Sequence, residues 1–185
     1  MKKITILISA LVLMMLFAVA PAMAAPATKV SVTATHSSII ISPGTNWVTD
    51  GGVVQLRDIV YGGTVKLDIA TTTANPDYTF TQRREQFGTV THGRDIPYPG
   101  PWPEAKGEWH AKIVWTYSEN GQVGTFEGEM KLTSIGWIIL SNGLATALST
   151  EGHYVLQGKG IFEGQTLFLD STSPPTVYTG YLLTR

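Results

Sequence analysis

The chain has 185 residues, with 13 basic and 14 acidic side chains, 43% hydrophobic residues and no cysteine. The lack of cysteine excludes disulfides, a thiol nucleophile and a lipid-modified cysteine anchor. The near-neutral charge, without clusters of Lys and Arg, argues against a nucleic-acid-binding surface.

The N-terminus has the organisation of a secretory signal peptide. Two lysines precede an apolar run over residues 4–20, and an Ala-x-Ala cleavage motif ends at Ala24. We therefore expect residues 1–24 to be removed and residues 25–185 to form a single secreted or periplasmic domain. The alternative is an uncleaved membrane anchor, although the run is shorter than the ~20 residues of a spanning helix. No second run of this length follows, so no membrane span is expected after cleavage.

The mature chain begins with two short segments rich in β-branched residues, 28–33 and 38–42, which predict strands. A β-hairpin is predicted next, over residues 53–70. Its turn is the Gly62-Gly63 pair, because glycine readily adopts the positive φ angles of tight hairpin turns.

Asp58 is the first candidate for catalytic chemistry. In the register of this hairpin it falls on the apolar face, while Arg57 and Asp68 pair on the wet face. A carboxyl group buried there would have a raised pKa, as functional acids often do. The alternatives are a bulge at Arg57 and Asp58 that turns the carboxylate outward, or a structural bond to loop backbone.

A proline-rich segment follows a further predicted strand at residues 78–87. That strand carries the pair Arg83-Arg84, which is interpreted as part of a solvated face. Residues 88–107 contain four prolines and have no periodicity, so they predict a long loop. The loop is either a plug packed over one end of the core or a lid over a cavity mouth. Its aromatic residues Tyr98 and Trp102 are candidate ligand contacts.

The clearest signal is a hairpin over residues 108–132. Asn120-Gly121 is the favoured pair for a type I′ turn, because both residues need positive φ. On one face of this hairpin, polar residues pair across the two strands, and Lys112 with Glu129 is one such pair. A slip of one residue would scramble both faces, so the pattern fixes the register. Counting outward from the turn gives one face of apolar and glycine pairs: Tyr117/Gly124, Trp115/Phe126, Ile113/Gly128, Ala111/Met130 and Trp109/Leu132.

Glycines on that apolar face have two interpretations. Gly124 and Gly128 either mark a bend at a barrel corner or give room to the bulky residues that face them. The rest of the chain predicts further strands at residues 137–140, 153–158, 165–170 and 177–183, with a strand or a short helix at 144–148. About ten short strands joined by short turns predict an all-β fold. We expect a single antiparallel meander closed as a β-barrel of about eight to ten strands.

The spacing Gly158-x-Gly160-x-Phe162-x-Gly164, followed by an alternating strand, resembles the later strands of allene oxide cyclase-like and dirigent-like barrels. The resemblance covers about thirty residues, from His153 to Tyr181. The segment is also similar to small secreted prokaryotic proteins of that shape with no assigned role. The resemblance implies an eight-stranded barrel, an interior cavity and a homo-oligomer. It implies no catalytic residue, because no set of positions matches a cyclase or dirigent site.

Residues with metal or acid–base chemistry are scattered along the chain. The four histidines lack metal-ligand spacing, so neither a metal nor a cofactor is expected. Glu127 and Glu129 lie on one strand face and are interpreted as solvent-facing rather than as an acid–base pair. No G-x-S-x-G elbow is present.

Three functional classes remain. The first is a secreted binding module that holds an apolar small molecule, with Tyr98, Trp102, Trp115 and Phe126 as candidate contacts. The second is a cyclase- or isomerase-type enzyme acting on an apolar small molecule, with Asp58 as its acid. The third is a surface-interaction protein whose barrel is filled by side chains. The non-enzymatic classes are preferred, because the aromatic face of the central hairpin favours a packed core.

Overall fold

A computed structural model describes residues 26–49, 51–70, 78–91, 102–139, 145–172 and 176–185, with the backbone alone at 102–104, 137–139, 145–148 and 172. The predicted signal peptide lies outside the described residues and stays a prediction. Within the described part, no helix could span a membrane. The strands are β1 (Thr28–Ser42), β2 (Thr45–Thr49), β3 (Val53–Ile69), β4 (Tyr78–Thr91), β5 (Trp102–Glu119), β6 (Gln122–Ile139), β7 (Ala145–Gly160), β8 (Gln165–Thr172) and β9 (Val177–Thr184).

The strands follow one another as an antiparallel meander that closes into a ring. Each strand from β3 to β8 pairs with the next, β9 pairs with β1, and β1 pairs with β3. The predicted all-β barrel is therefore confirmed, with eight strands in the ring. The ninth, β2, pairs with the beginning of β3 and continues the direction of β1 after a break at Pro43 and Gly44. Gly44 has a φ of 66°, which glycine adopts without steric cost.

The central hairpin has the predicted register along its whole length. Asn120 and Gly121 form the turn with φ angles of 51° and 78°, and the pairing runs from Glu119–Gln122 to Trp109–Leu132. The apolar face points into the barrel, because alternate residues of a strand point to opposite sides of the sheet. Its buried members are Trp109, Ala111, Ile113, Trp115, Tyr117, Phe126 and Met130.

The predicted hairpin at Gly62-Gly63 is wrong. Residues 53–69 form one continuous strand, β3, which has β1 on one edge and β4 on the other. The two glycines allow a close approach rather than a turn. A Cβ at Gly63 would overlap the backbone carbonyl of Ser37, and one at Gly62 would overlap the side chain of Ile41. A Gly-Gly pair can therefore mark either a hairpin turn or a close approach of two strands, and the sequence pattern is the same in both cases.

Several strands are longer than predicted. The two initial segments form one strand, β1, and the predicted loop over residues 88–107 is strand at both ends, in β4 and in β5. Residues 92–101, which include Tyr98, lie outside the described residues. A shift in the β5–β6 pairing between Trp102 and Lys106 accommodates Pro103, which cannot donate a ladder hydrogen bond. The segment at 145–148 is strand rather than helix.

Apolar side chains fill much of the interior in two clusters. The larger cluster includes Phe80, Trp115, Phe126 and Phe162. Phe162 lies in the turn between β7 and β8 and stacks on Phe126, with ring centroids 4.8 Å apart. The turn that contains the glycine motif thus places the Phe162 ring inside this part of the barrel. The smaller cluster consists of Val54, Ile59, Val90, Ala105 and Trp109.

Candidate functional site

The inner face of β4 changes from apolar to polar halfway along the strand. Tyr78 and Phe80 begin this face, and the alternation then brings Gln82, Arg84 and Gln86 inward. Gln82 and Gln86 are only 4% and 6% exposed, and Arg84 is half-buried. Polar groups inside a barrel cost free energy unless they are hydrogen-bonded. This stretch therefore departs from the apolar pattern that a purely structural core would follow.

Side chains from four other strands meet this polar stretch. Tyr154 of β7, Ser171 of β8 and Tyr178 of β9 are all buried, and the rings of the two tyrosines lie 4.6 Å apart. The Tyr178 hydroxyl forms a 2.6 Å hydrogen bond with Nε2 of His36, on β1. We name the set the interior polar cluster; its members are His36, Gln82, Arg84, Gln86, Tyr154, Ser171 and Tyr178.

Burial and a nearby charge act in opposite directions on the two phenols. Burial raises the pKa of both Tyr154 and Tyr178, since the charged phenolate loses its hydration inside the barrel. The positive charge of Arg84 acts to lower both pKa values, but burial is the larger effect. Both hydroxyls therefore keep their protons at neutral pH, and neither neutralises the guanidinium.

Several buried atoms of the cluster lack a hydrogen-bond partner. They are Gln82 Nε2, Arg84 Nε, Gln86 Oε1, Tyr154 OH and Ser171 Oγ. The hydroxyls of Tyr178 and Ser171 neighbour that of Tyr154, but none makes a hydrogen bond of good geometry with it. A buried polar group left unpaired typically costs about 1–3 kcal/mol, so native proteins contain few of them.

Trp115 fixes the orientation of the Gln82 amide. The Trp115 Nε1–H donates a 3.0 Å hydrogen bond to Gln82 Oε1. Because an indole can only donate, the oxygen of the amide must face the tryptophan. The NH2 group of Gln82 is then the part of the side chain that remains as an unused donor.

The two neighbouring arginines of β4 have opposite environments. Arg83 lies on the outer face and pairs with Glu85 at 2.9 Å. Arg84 lies over the ring of Tyr61, with Cζ 4.1 Å from the ring centroid. No carboxylate among the described residues pairs with Arg84. The interpretation of both arginines as a solvated face is therefore correct for Arg83 and wrong for Arg84.

Solvent reaches the row of residues that contains Arg84. β1 pairs with β9 only as far as Thr35, and β7 pairs with β8 only from Glu151 onward. Beyond these points the described residues provide no neighbouring strand for those two edges. Ile40 is aligned with Tyr61 and Arg84 on the inner face, yet it is 46% exposed. Among the described residues, the wall of the barrel is thus incomplete in the row that contains Arg84.

Asp58 lies outside this interior cluster. It sits at a bulge in β3 between Leu56 and Ile59, with a φ of 57°, and its side chain is exposed. The register that placed it on the apolar face is wrong, and the alternative of a bulge that turns the carboxylate outward is confirmed. Asp58 borders an outer groove of about 370 Å³ together with Arg57, Glu85, Phe87 and Lys112.

The predicted Arg57–Asp68 pair is also wrong, since both residues belong to one continuous strand. Arg57 instead donates to the carbonyl oxygens of Leu56 and Gly88 at 2.9 and 3.3 Å. Asp68 pairs with Lys66 at 3.1 Å. These contacts stabilise the outer surface and leave the interior polar cluster untouched.

The predicted ligand contacts have different positions. Trp115 and Phe126 are fully buried in the barrel, and Trp115 borders the interior polar cluster through Gln82. Trp102 has its backbone in β5, whereas its side chain lies outside the described part, as does all of Tyr98. The two described aromatic side chains therefore lie beside the cluster or in the core rather than at a lid.

The outer face holds several further acidic and histidine residues of the described part. Glu127 pairs with Lys159 rather than acting with Glu129, and this contact lowers the pKa of Glu127. Lys112 faces Glu129 in the predicted register. His153 and Asp170 form an exposed pair at 2.6 Å, and such surface pairs contribute little to stability. Within the described ranges, no three His, Asp or Glu side chains come together as metal ligands.

Sequence reasoning missed the interior polar cluster. Extending the alternation of Tyr78 and Phe80 along β4 would have assigned Gln82, Arg84 and Gln86 to the inner face. Tyr178 and His36 carry no comparable local signal, because they are 142 residues apart and meet only when the barrel closes.

Comparisons with protein-family models, with curated proteins and with solved structures gave no match to this chain. The resemblance to allene oxide cyclase-like and dirigent-like barrels therefore stays a prediction.

Proposed function

We propose that this protein is a secreted, non-enzymatic binding barrel that holds one small molecule inside. The interior polar cluster takes the polar group of the molecule, and the surrounding aromatic side chains contact its apolar body. The observation that carries the proposal is the set of buried polar atoms without partners around Arg84. A bound molecule would supply those partners and remove their energetic cost.

A barrel with a purely structural or surface role has no need for such a cluster. Replacing buried polar groups by apolar side chains of similar size is often neutral or stabilising. Elsewhere in the described interior, apolar residues such as Phe80, Phe126 and Leu167 form a packed core. The local exception at Arg84 therefore supports ligand binding over a role limited to the outer surface.

An isomerase- or cyclase-type reaction is the second candidate. The 2.6 Å hydrogen bond between the Tyr178 hydroxyl and His36 places a proton donor and a histidine together in the barrel. Such a pair can exchange a proton with a bound molecule if it lies within hydrogen-bond reach. A ligand recovered unchanged after prolonged incubation supports binding, whereas one converted to an isomer supports catalysis.

Native mass spectrometry of the exported, gently purified protein tests the proposal. The variants to compare are Ser38→Trp, which fills the inner face in the row of Gln82, and Ser37→Trp, which points outward from the same strand. We expect a mass excess in the wild type and in Ser37→Trp that disappears on denaturation, and no excess in Ser38→Trp. A bare polypeptide mass for the wild type, even after incubation with extracts of the producing culture, would contradict the proposal.

A further inference from the structure

Resting on the proposed function, we infer that the ligand is a monocarboxylate with an apolar body and that Arg84 is the counterion of its carboxylate. The first argument is the balance of donors and acceptors. Four of the five unused positions can donate a hydrogen bond: Gln82 Nε2, Arg84 Nε and the hydroxyls of Tyr154 and Ser171. The fifth, Gln86 Oε1, can only accept. A ligand group rich in acceptors fits such a set better than one rich in donors.

Charge gives the second argument. A guanidinium keeps its proton under all ordinary conditions, and no described carboxylate pairs with Arg84. Burying an unpaired charge is costly, whereas a ligand with one negative charge would balance it. Arg83 already has its partner in Glu85 on the outer face, so it adds no second positive charge to the interior. One cation matches a single carboxylate better than a phosphate monoester with two negative charges.

The geometry around Arg84 also favours a carboxylate with an apolar body as the ligand. The planar fork of an arginine matches the two oxygens of a carboxylate. Tyr61 supports the guanidinium from one side at 4.1 Å, so the charged group is held in place by an aromatic ring. Trp115 lies next to Gln82 and contacts Phe80, with ring centroids 5.9 Å apart. A carboxylate at Arg84 would therefore have aromatic walls close by for an alkyl or aryl body.

Matched pairs of small molecules test the carboxylate assignment. The probes are octanoate and 4-phenylbutyrate, each compared with its primary amide, and binding is measured by calorimetry on protein stripped of resident ligand. We expect the wild type to bind each carboxylate about tenfold to a hundredfold more tightly than its amide, as typical for charge-assisted hydrogen bonds. Inorganic phosphate should not compete.

Three variants test whether Arg84 causes the preference for carboxylates over amides. Arg84→Met should bind carboxylate and amide equally, Arg84→Lys should keep part of the preference, and the matched control Arg83→Met should behave like the wild type. Circular dichroism checks that each variant is folded. Because Arg84→Lys retains a positive charge, it keeps the test informative if Arg84→Met fails to fold.

The assignment is overturned if the wild type binds amides as tightly as carboxylates, if it binds neither carboxylate, or if Arg84→Met keeps the preference. Competition by inorganic phosphate would also overturn it and point to a phosphorylated ligand. None of these results would remove a mass excess seen in the native mass spectrum. The ligand class can therefore fail while the proposed binding function stands, and only a bare polypeptide mass removes both.

Discussion

Arg83 and Arg84 are adjacent in the chain but have different energetic roles. Arg83 is exposed and belongs to a surface ion pair, which typically contributes less than about 1 kcal/mol. Arg84 points inward, lies on Tyr61 and has a buried Nε without an acceptor. A buried donor without an acceptor costs free energy in the ligand-free protein. Such a cost is expected at a residue kept for binding.

Replacing Arg84 should therefore stabilise the ligand-free protein. We expect Arg84→Met to raise the free energy of unfolding by about 1 kcal/mol, because the variant no longer leaves the buried Arg84 Nε without an acceptor. Arg83→Met, the matched control, should change it by less than about 0.5 kcal/mol. Urea denaturation of ligand-stripped protein measures both values. A large loss of stability in Arg84→Met would mean that Arg84 has a structural partner.

The buried tyrosines predict a loss of stability at alkaline pH. Burial raises the pKa of Tyr154 and Tyr178 in the folded protein above the ordinary value of 10.0. A group with a raised folded pKa contributes its full stability below the unfolded pKa and loses it as pH rises above that value. The free energy of unfolding should therefore fall from about pH 10 upward.

The double variant Tyr154→Phe/Tyr178→Phe should flatten this decline. Phenylalanine has no titrating hydroxyl, so the unfolded state no longer gains from ionisation at these two positions. Thermal melting at a series of pH values measures the effect. The control substitution is Tyr181→Phe, at a half-buried tyrosine that stacks on Phe168. Identical alkaline profiles for the wild type and the double variant would show that neither phenol resists ionisation.

At the scale of single elements, glycines control how closely neighbouring strands approach. Gly128 of β6 faces Ile113 across the hairpin, which suggested that it gives room to that side chain. The structure shows a tighter constraint on the other side. A Cβ at Gly128 would overlap the carbonyl oxygen of Val155 on β7. The backbone of β7, rather than a side chain of β5, makes this glycine necessary.

Gly128→Leu should consequently destabilise the protein. We expect a loss of about 1–3 kcal/mol from overpacking, because backbone can yield less than a flexible side chain. Gly51→Leu is the control, since a Cβ there meets only Val53 Cγ2 at 3.8 Å. Chemical denaturation of both variants gives the comparison. Equal midpoints would argue against the close β6–β7 contact.

Local patterns predicted some elements well and others poorly. The β5–β6 register could be predicted because an Asn-Gly turn and a long alternation of apolar residues agree with each other. The strand through Gly62-Gly63 could not, since glycines at a close approach resemble those of a turn. The bulge at Asp58 could be predicted only as an alternative, from a carboxylate that would otherwise fall on an apolar face.

At the scale of the whole molecule, ring closure creates the candidate site. β1 and β9 come from opposite ends of the chain and pair with each other, which brings His36 to Tyr178. Tyr154 reaches the same interior from β7, and Arg84 from β4. Because these contacts are distant in sequence, no local pattern could assemble the cluster. Only the β4 part of the site was accessible to sequence analysis.

An experimental structure of the exported protein, purified without denaturation, tests the central claim most directly. We predict density for a small molecule inside the barrel, with acceptor atoms within hydrogen-bond distance of Arg84 Nε and the Tyr154 hydroxyl. Density for the same molecule should be weaker in Arg84→Met crystals, because the variant lacks the counterion. An Arg84 guanidinium paired with a carboxylate of its own chain, in a cluster filled by protein side chains, would contradict the claim.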